Sequence, residues 1–201
     1  IGTCLVGSEM CIRDRLKLGS EPLDRFMGLG AFCEHIVVPE AMAVPVRADL
    51  EPVHRCLIGC GMTTGFGAAV NTAAIRWGES VAVYGCGGVG LAAVQGAVVG
   101  GASTIYAVDP IAERRQAALN LGATKALEPS DAVKSIVSET FGGTDVAIEC
   151  VGSPAVMQDA FNTIRSGGRT VIVGLPAFTE MLELPAIMLL REKSITGSIY
   201  G

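Results

Sequence analysis

Val81-Ala-Val-Tyr-Gly-Cys-Gly-Gly-Val-Gly90 is the stretch of sequence that decides the fold. The apolar residues up to Tyr84 predict a buried strand, and residues 91–95 open a helix. Between them Gly85, Gly87 and Gly90 form the pattern G-x-G-x-x-G. In such a turn the first glycine permits the sharp change of direction, the second lets a pyrophosphate approach the backbone, and the third lets the helix pack closely on the strand. The stretch therefore predicts a dinucleotide-binding turn.

An acidic residue at the expected distance strengthens this interpretation. Asp109 lies 19 residues beyond Gly90, directly after a second apolar strand pattern. A carboxylate about 20 residues after the turn accepts hydrogen bonds from the hydroxyls of the adenosine ribose. The helix start supplies unpaired N–H groups and a positive dipole end for the phosphates. Because an acid at this position disfavours a 2′-phosphate, the pattern indicates NAD rather than NADP.

Strand and helix patterns alternate regularly after the glycine turn, which predicts crossover connections and a parallel sheet. The predicted strands are residues 81–84, 104–108, 125–127, 146–150, 169–173 and 194–200. The predicted helices are residues 88–99, 111–121, 130–141 and 154–164, with a short one within 184–190. Gly122 is a stop signal for the second helix, and Ser130 or Asp131 is the expected N-cap of the third. The fold class is α/β, with a doubly wound, six-stranded parallel sheet of the Rossmann type.

The segment before the turn has a different character. Residues 32–38 and 43–46 predict strands that Pro39 and Pro45 confine to edges or ends, and residues 65–75 predict a helix. Residues 1–15 show no helix or strand period that continues into residue 16 and beyond, and they resemble a translated adapter sequence. We therefore expect a non-native or disordered leader over residues 1–15, a partial and mostly β segment over 16–61, and the dinucleotide-binding domain over 62–201.

Composition excludes several classes of protein. The net charge is −5 and no run of basic residues occurs, which argues against nucleic acid as a partner. No charged residue occurs from Val81 to Val108, and this stretch is long enough for a membrane-spanning helix, which needs ~20 apolar residues. Glycines interrupt this stretch and no basic cluster flanks it, so a buried parallel sheet explains it better than a membrane span. Seven cysteines, without a C-x-x-C pair, favour a reducing cytoplasm.

Several stretches together resemble the zinc-dependent medium-chain alcohol dehydrogenases, close to the class that includes glutathione-dependent formaldehyde dehydrogenase. The matching stretches are residues 26–30, 32–40, 56–67, 85–90, 108–109, 149–152, 171–176 and 197–201. The resemblance runs from about Leu18 to Gly201. It implies that residues 16–61 are part of a GroES-like catalytic domain, and that the parent enzyme transfers hydride between an alcohol or aldehyde and NAD with a catalytic zinc.

The resemblance also implies roles for individual residues. Cys60 would be a ligand of the catalytic zinc, and Thr64 would lie against the nicotinamide ring. Arg114 stands where the family usually has Lys and would reach the adenosine ribose together with Asp109. The other residues implied at the cofactor are those of the glycine turn (Gly85, Cys86, Gly87, Gly88, Val89, Gly90), the nicotinamide side (Val173, Gly174, Leu175) and the carboxamide (Ser198, Tyr200). Phe26 and Met27 would form part of the alcohol pocket.

Simpler interpretations exist for four of these residues. Cys60, between two glycines, fits a small residue in a tight turn, and Thr64 fits a cap at a helix start. Cys86 fits a spacer in the phosphate loop rather than a reactive thiol. Arg114 fits a solvated helix residue. His35 and His54 match no ligand position of the family.

The resemblance further implies that a Cys and a His ligand of the zinc, and the groups that relay the alcohol proton, lie upstream of this chain. We therefore expect the 201 residues to lack dehydrogenase activity, while the intact parent has it and forms a homodimer or homotetramer. Two alternatives stay open: a zinc-free reductase of the same superfamily and a non-catalytic NAD-binding module. A polyol or threonine dehydrogenase is a closer rival, and the sequence does not identify the alcohol.

Overall fold

The computed structural model describes residues 17–22, 34–36 and 38–201, and the chain divides after Leu50 into two compact units. In the first unit Lys17–Leu18 pairs antiparallel with Glu21–Pro22, and Gly19 between them takes a left-handed φ of +66°. A single 3-10 turn lies at Glu40–Met42. The predicted leader over residues 1–15 lies outside the described residues. The predicted domain boundary between residues 61 and 62 stays a prediction.

The strand predicted over residues 43–46 is wrong, because the described residues from 38 to 50 contain no strand. These residues are mostly exposed, and Val44 is 78% accessible to solvent. An extended segment becomes a strand only when a second strand accepts its hydrogen bonds, and none of the described residues pairs with this one. Residues 34–36 and 38 of the other predicted strand are likewise not part of a strand, and the rest of it lies outside the described part.

The second unit contains a six-stranded, all-parallel sheet, as predicted. Its strands are β1 (Ser80–Tyr84), β2 (Thr104–Val108), β3 (Lys125–Leu127), β4 (Thr144–Glu149), β5 (Ile164–Ile172) and β6 (Ser194–Gly197). Their spatial order is β3-β2-β1-β4-β5-β6. The order reverses between β1 and β4, which is the topological switch point where α/β proteins bind their ligands.

Four helices cover the two faces of the sheet: α1 (Gly88–Val99), α2 (Ala112–Asn120), α3 (Pro129–Glu139) and α4 (Pro154–Thr163). Ala93, Val94 and Ala97 of α1 share one buried cluster with Ala118 of α2. On the other face, Ile136 of α3 and Phe161 of α4 pack against the sheet. Strands β1 and β2, at the centre of the sheet, are therefore buried on both sides along most of their length, which explains their uncharged sequences.

A long helix precedes β1, and the sequence predicted only its second half. It is continuous from residue 52 to residue 72, with α-helical turns at Pro52–Leu57 and Thr63–Gly67 and π-helical turns at Ile58–Met62 and Ala68–Thr72. Its glycines lower intrinsic helix propensity and hid the first half. The same glycines permit close packing, since a Cβ on Gly65 would lie 1.9 Å from the carbonyl oxygen of Val89 in α1.

Smaller differences concern the ends of elements. Helix α3 begins at Pro129 with Glu128 as its N-cap, not Ser130 or Asp131, because proline is favoured at the first helical position. Strand β5 begins at Ile164 and contains an irregularity in its pairing with β4. The short helix near residue 187 is a 3-10 helix, Ala186–Arg191, and β6 ends at Gly197, so it does not reach Tyr200.

Candidate functional site

Apart from Thr64 and Arg114, which lie on helices, the predicted cofactor residues follow the carboxyl ends of strands in the sheet. Tyr84, Val108, Glu149, Ile172 and Gly197 are the last residues of their strands, and the pairing register aligns them in one row. The glycine turn comes directly after the first of these residues, and Asp109 directly after the second. The topology thus brings together five segments that are far apart in the sequence, at the carboxyl ends of the parallel strands.

The glycine turn has the geometry that the sequence pattern predicts. Gly85 takes a φ of +87°, a left-handed conformation that other residues rarely adopt. A Cβ on Gly90 would lie 1.7 Å from the carbonyl oxygen of Gly85, so only glycine lets α1 begin this close to the strand. A Cβ on Gly87 or Gly88 would meet nothing within 4 Å. The backbone is therefore open to solvent where a pyrophosphate would approach it.

The N-terminus of α1 lies directly behind this opening. Gly87 is its N-cap and offers no side-chain hydrogen bond to the first turn. The first intrahelical bond in this turn runs from the Leu91 N–H to the Gly87 carbonyl over 2.8 Å. The N–H groups of Gly88, Val89 and Gly90, in the first turn, are the unpaired donors of the helix start. Such donors suit an anion.

Asp109 is fixed against the glycine turn. Its side chain is only 2% exposed. The Cys86 N–H donates to Oδ2 over 2.8 Å, and the Ile111 N–H donates to Oδ1 over 2.8 Å. Each carboxylate oxygen can accept a second hydrogen bond, so two acceptors remain for a vicinal diol. The carboxylate is thereby oriented before any ligand arrives.

Two arginines of α2 surround Asp109, and only one of them was predicted from the sequence. The Arg114 guanidinium is half exposed and lies 3.9 Å from Asp109 Oδ2. Arg115 is more firmly held: it donates to the Asp109 carbonyl over 2.8 Å and forms an ion pair with Glu128 over 3.0 Å. Arg115 therefore shapes the loop, whereas Arg114 is able to move toward a ligand. Residue type alone does not distinguish the two arginines, because both are cations on the same helix.

The loops after β4 and β5 meet beside the glycine turn. A Cβ on Gly174 would lie 2.0 Å from the Gly152 nitrogen, so the two backbones are in direct contact. Leu175 is 86% exposed, whereas Val173 and Gly174 are half-buried. Glu149 lies below both loops and is completely buried. No role was predicted for this glutamate, although a carboxylate within the apolar run 146–150 was a visible signal.

The segment after β6 packs against the long helix. Ser198 is buried, and its hydroxyl lies 2.7 Å from the Thr72 hydroxyl. A Cβ on Gly67 would lie 2.7 Å from the Gly201 Cα. The half-buried Thr64 lies in the same part of the long helix, and Tyr200 takes a left-handed φ of 62°. The structure thus joins the end of the chain to the helical segment that carries Thr64.

Cys60 lies on a helix, which rules out the tight turn that its flanking glycines suggested. It is exposed in the π-helical turn Ile58–Met62. Within the part of the chain that the structure describes, no group of three or more His, Cys, Asp or Glu side chains could hold a metal ion. Since a zinc site needs several ligands in fixed geometry, these residues do not form one by themselves.

The buried Cys86 and the half-buried Cys150 have weakly acidic thiols. Burial, with a smaller contribution from Asp109, raises the pKa of Cys86 to about 12. Burial also raises the pKa of Cys150. A thiol is nucleophilic as its thiolate, so both groups are poor nucleophiles at neutral pH. This supports the interpretation of Cys86 as a spacer in the loop.

Other features lie away from this edge or outside the description. Phe26 and Met27, the predicted substrate-pocket residues, lie outside the described residues. Surface grooves of about 410 and 890 Å³ are lined by residues of α3, α4 and the segment 183–185, and neither is lined by the glycine turn. None of the described helices combines the length and the apolar character needed to span a bilayer.

Comparisons with known proteins agree with this geometry. Residues 88–201 match the family described as zinc-binding dehydrogenase. The S-(hydroxymethyl)glutathione dehydrogenase of Saccharomyces cerevisiae is 35% identical over 189 residues, which is 90% of this chain and 49% of the yeast protein. The crystal structure of an alcohol dehydrogenase zinc-binding domain protein from Burkholderia ambifaria superimposes with a TM-score of 0.84, at 36% identity, over 90% of this chain and 50% of that one. A Sinorhizobium meliloti 1021 protein, assigned as a zinc-binding dehydrogenase and solved with NADP bound, gives a TM-score of 0.71 at 32% identity, over 77% of this chain and 46% of that one.

The fold and the glycine turn define a dehydrogenase-type dinucleotide domain, and the family match covers more than half of the chain. The chain belongs to the zinc-binding dehydrogenase family. It spans about half the length of the relatives that it matches.

Proposed function

We propose that this chain is the coenzyme-binding part of an NAD-dependent, zinc-dependent alcohol dehydrogenase. The observation that carries the proposal is the coupling of the open glycine turn to Asp109 through the Cys86 N–H. A turn that leaves space above Gly87, and a carboxylate that is fixed with acceptors to spare, match a pyrophosphate and a ribose diol. When bound, NAD would supply the hydride acceptor for an alcohol, or NADH the donor for an aldehyde.

The residues of this chain would bind and orient the cofactor. The N–H groups at the start of α1 would hold the pyrophosphate, and Asp109 and Arg114 would hold the adenosine ribose. Val173, Gly174 and Leu175 would line the nicotinamide side, with Thr64 facing them and the backbone groups of Ser198 and Tyr200 binding the carboxamide. Asp109 supports NAD as the preferred cofactor, because its carboxylate would repel the phosphate of NADP.

Zinc enters this proposal through one residue of the chain. We infer that Cys60, exposed on its helical turn, contributes one thiolate to the metal. The described residues do not bring Cys60 a set of partner ligands, so the remaining ligands would come from outside them. We therefore expect the 201-residue chain to bind the dinucleotide without oxidising alcohols.

The edge strand β6 supports association of two copies through the coenzyme domains. Among the described strands it pairs only with β5, which leaves its other edge open. Large apolar side chains are exposed in the segment that precedes β6, including Met181 at 78% and Leu190 at 80%. An open edge beside exposed apolar surface is typical of an interface. A small-molecule substrate and a cytoplasmic location complete the proposal, and the free thiols of the described cysteines support a reducing environment.

Two glycine substitutions test the dinucleotide site. Gly87 has a φ of −74°, and its Cβ would meet nothing within 4 Å, so Gly87→Ala should fold normally. The new methyl group would occupy the space that the pyrophosphate needs, and we expect NADH affinity to fall roughly tenfold or more. Gly59→Ala is the matched control, because its Cβ also meets nothing within 4 Å.

NADH fluorescence titration of the 201-residue chain measures both variants. The proposal requires that the wild-type chain and Gly59→Ala bind NADH alike, and that Gly87→Ala binds it more weakly. The proposal would be contradicted if the wild-type chain bound neither NADH nor NADPH, or if Gly87→Ala bound NADH as tightly as wild type. If the chain preferred NADPH to NADH, only the proposed role of Asp109 would be contradicted, and the dinucleotide site would stand.

A further inference from the structure

Glu149 is a buried carboxylate that is bonded to two loops at once. It is the last residue of β4, and its side chain is fully buried. Oε1 accepts hydrogen bonds from the N–H groups of Val151 over 2.8 Å and Gly152 over 2.7 Å. The side chain therefore closes the loop that comes after its own strand.

The backbone of the same residue holds the neighbouring loop. The Glu149 carbonyl oxygen accepts the N–H groups of Val173 over 2.8 Å and Gly174 over 3.0 Å. The loops also touch each other at Gly152 and Gly174. A change in the orientation of this one residue would therefore move both loops at the edge of the sheet.

Keeping a carboxylate here lowers the stability of the fold. Oε2 has no hydrogen-bond partner among the described residues and is inaccessible to solvent. Burial raises the pKa of the carboxyl group, against the opposing effect of the backbone N–H groups of the loops. A buried polar atom without a partner is unfavourable, and a neutral side chain of similar size would avoid much of this penalty. A residue whose only purpose was to fill the core would not need a carboxyl group.

We propose that Glu149 is a positioning residue for dinucleotide binding. Its Oε1 fixes the loop after β4 in position against the loop after β5. The inference rests on the proposed function, because Val173, Gly174 and Leu175 are assigned there to the nicotinamide side. The N–H groups of Val151 and Gly152 need an acceptor to stay turned inward. With that acceptor in place, the two loops keep a fixed separation from the glycine turn.

Three substitutions separate this role from ordinary core packing. Glu149→Gln keeps an acceptor oxygen for the two N–H groups, whereas Glu149→Leu has similar size and no acceptor. Thr170→Val is the matched control, since Thr170 Oγ1 is the other buried side-chain atom without a partner in the described part of the chain. Thr170 lies within β5, so its unpartnered hydroxyl holds neither loop.

Hydrogen exchange and NADH titration of the full chain give two independent measurements. We expect faster amide exchange at Val151 and Gly152 in Glu149→Leu, with roughly tenfold weaker NADH binding. Glu149→Gln should retain slow exchange and bind within about threefold of wild type, and Thr170→Val should match wild type in both. Circular dichroism checks folding, and Glu149→Met replaces Glu149→Leu if the latter does not fold.

The outcomes distinguish this inference from the proposed function. If the wild-type chain binds NADH and Glu149→Leu binds it equally well, the positioning role is wrong and the dinucleotide site stands. If Glu149→Gln loses as much affinity as Glu149→Leu, the acceptor oxygen is not the reason for the effect. If the wild-type chain does not bind NADH, the proposed function fails, and with it the binding role of Glu149, whatever the amide exchange shows.

Discussion

The backbone N–H of Cys86 donates to Oδ2 of Asp109 over 2.8 Å, which makes the glycine turn and the acidic residue at the end of β2 one structural unit. The second carboxylate oxygen accepts the Ile111 N–H over 2.8 Å. Asp109 is therefore an acceptor inside the protein, and in the proposed function it is also an acceptor for the ribose.

We expect Asp109→Ala to lower both stability and NADH affinity. Loss of the acceptor for two buried N–H groups should reduce the free energy of unfolding by about 1–3 kcal/mol. NADH binding should weaken roughly tenfold or more, since the ribose contact is lost as well. Urea denaturation and NADH titration measure the two effects. Asp109→Asn retains one acceptor oxygen, so its stability and its NADH affinity should lie between those of wild type and Asp109→Ala. An Asp109→Ala chain with unchanged affinity would show that this carboxylate does not contact the dinucleotide.

Arg169 should make stability depend on pH through Glu79. The Arg169 guanidinium in β5 donates to both carboxylate oxygens of Glu79, at 2.9 and 2.5 Å, and to the carbonyl of Ala73. These hydrogen bonds hold the pKa of Glu79 below its ordinary value of 4.5. Because the folded state prefers the charged form, this stabilisation is fully present above the unfolded pKa and is lost as the pH falls through the lower folded pKa.

We therefore expect Arg169→Met to lower the free energy of unfolding by about 2 kcal/mol at pH 7, and by less in acid, where Glu79 is protonated in both chains. Urea denaturation between pH 7 and pH 3 measures the difference. Lys125→Met breaks the more exposed pair with Glu139 and should have a smaller effect. A constant difference between wild type and Arg169→Met at every pH would contradict the linkage.

Much of the coenzyme domain could be predicted from the sequence because local signals and tertiary packing agree there. Strand β2 and helix α1 have the predicted bounds, since uncharged residues are buried on both sides and a glycine turn sets the start of the helix. Where the signals conflicted, the prediction failed. Gly59 and Gly61 disfavour a helix locally, yet the long helix passes through them, stabilised by contacts with α1 that no local pattern shows.

The candidate site was predictable only in part, for a related reason. Residue type and spacing identified Asp109, since an acid at that distance from a glycine turn has a specific chemical use. Glu149 and Arg115 act through backbone atoms of loops, and such partners become visible only when the loops are placed. Cys60 shows the limit clearly: its type suggests a ligand, but the described residues do not bring it a set of partner ligands.

The four described cysteines should differ in reactivity. Cys56 and Cys60 are exposed on the long helix, whereas Cys86 is buried and Cys150 half-buried. Because burial also raises the pKa of Cys86 and of Cys150, neither should form a thiolate readily near pH 8. Brief treatment with iodoacetamide, followed by peptide mass spectrometry, should label Cys56 and Cys60 several-fold faster. Equal labelling of Cys86 in the folded chain would contradict the placement of its side chain.

Gly65 should be essential for the packing of the long helix on α1. A Cβ at this position would lie 1.9 Å from the Val89 carbonyl oxygen and 2.9 Å from the Ala93 nitrogen, both of which are backbone atoms. Backbone atoms cannot rotate away as a flexible side chain can, so Gly65→Ala must push the two helices apart. We expect it to lower the free energy of unfolding by about 3 kcal/mol, at the upper end for an overpacked core.

Gly59→Ala is the control on the same helix, because its Cβ would meet open space. Alanine favours helix over glycine, so this variant should gain about 0.5–1 kcal/mol. The two variants carry the same chemical change, and opposite shifts in urea denaturation would isolate the helix contact as the cause. Since Val89 lies in the first turn of α1, Gly65→Ala should also weaken NADH binding. A Gly65→Ala chain as stable as Gly59→Ala would show that the two helices are not packed this closely.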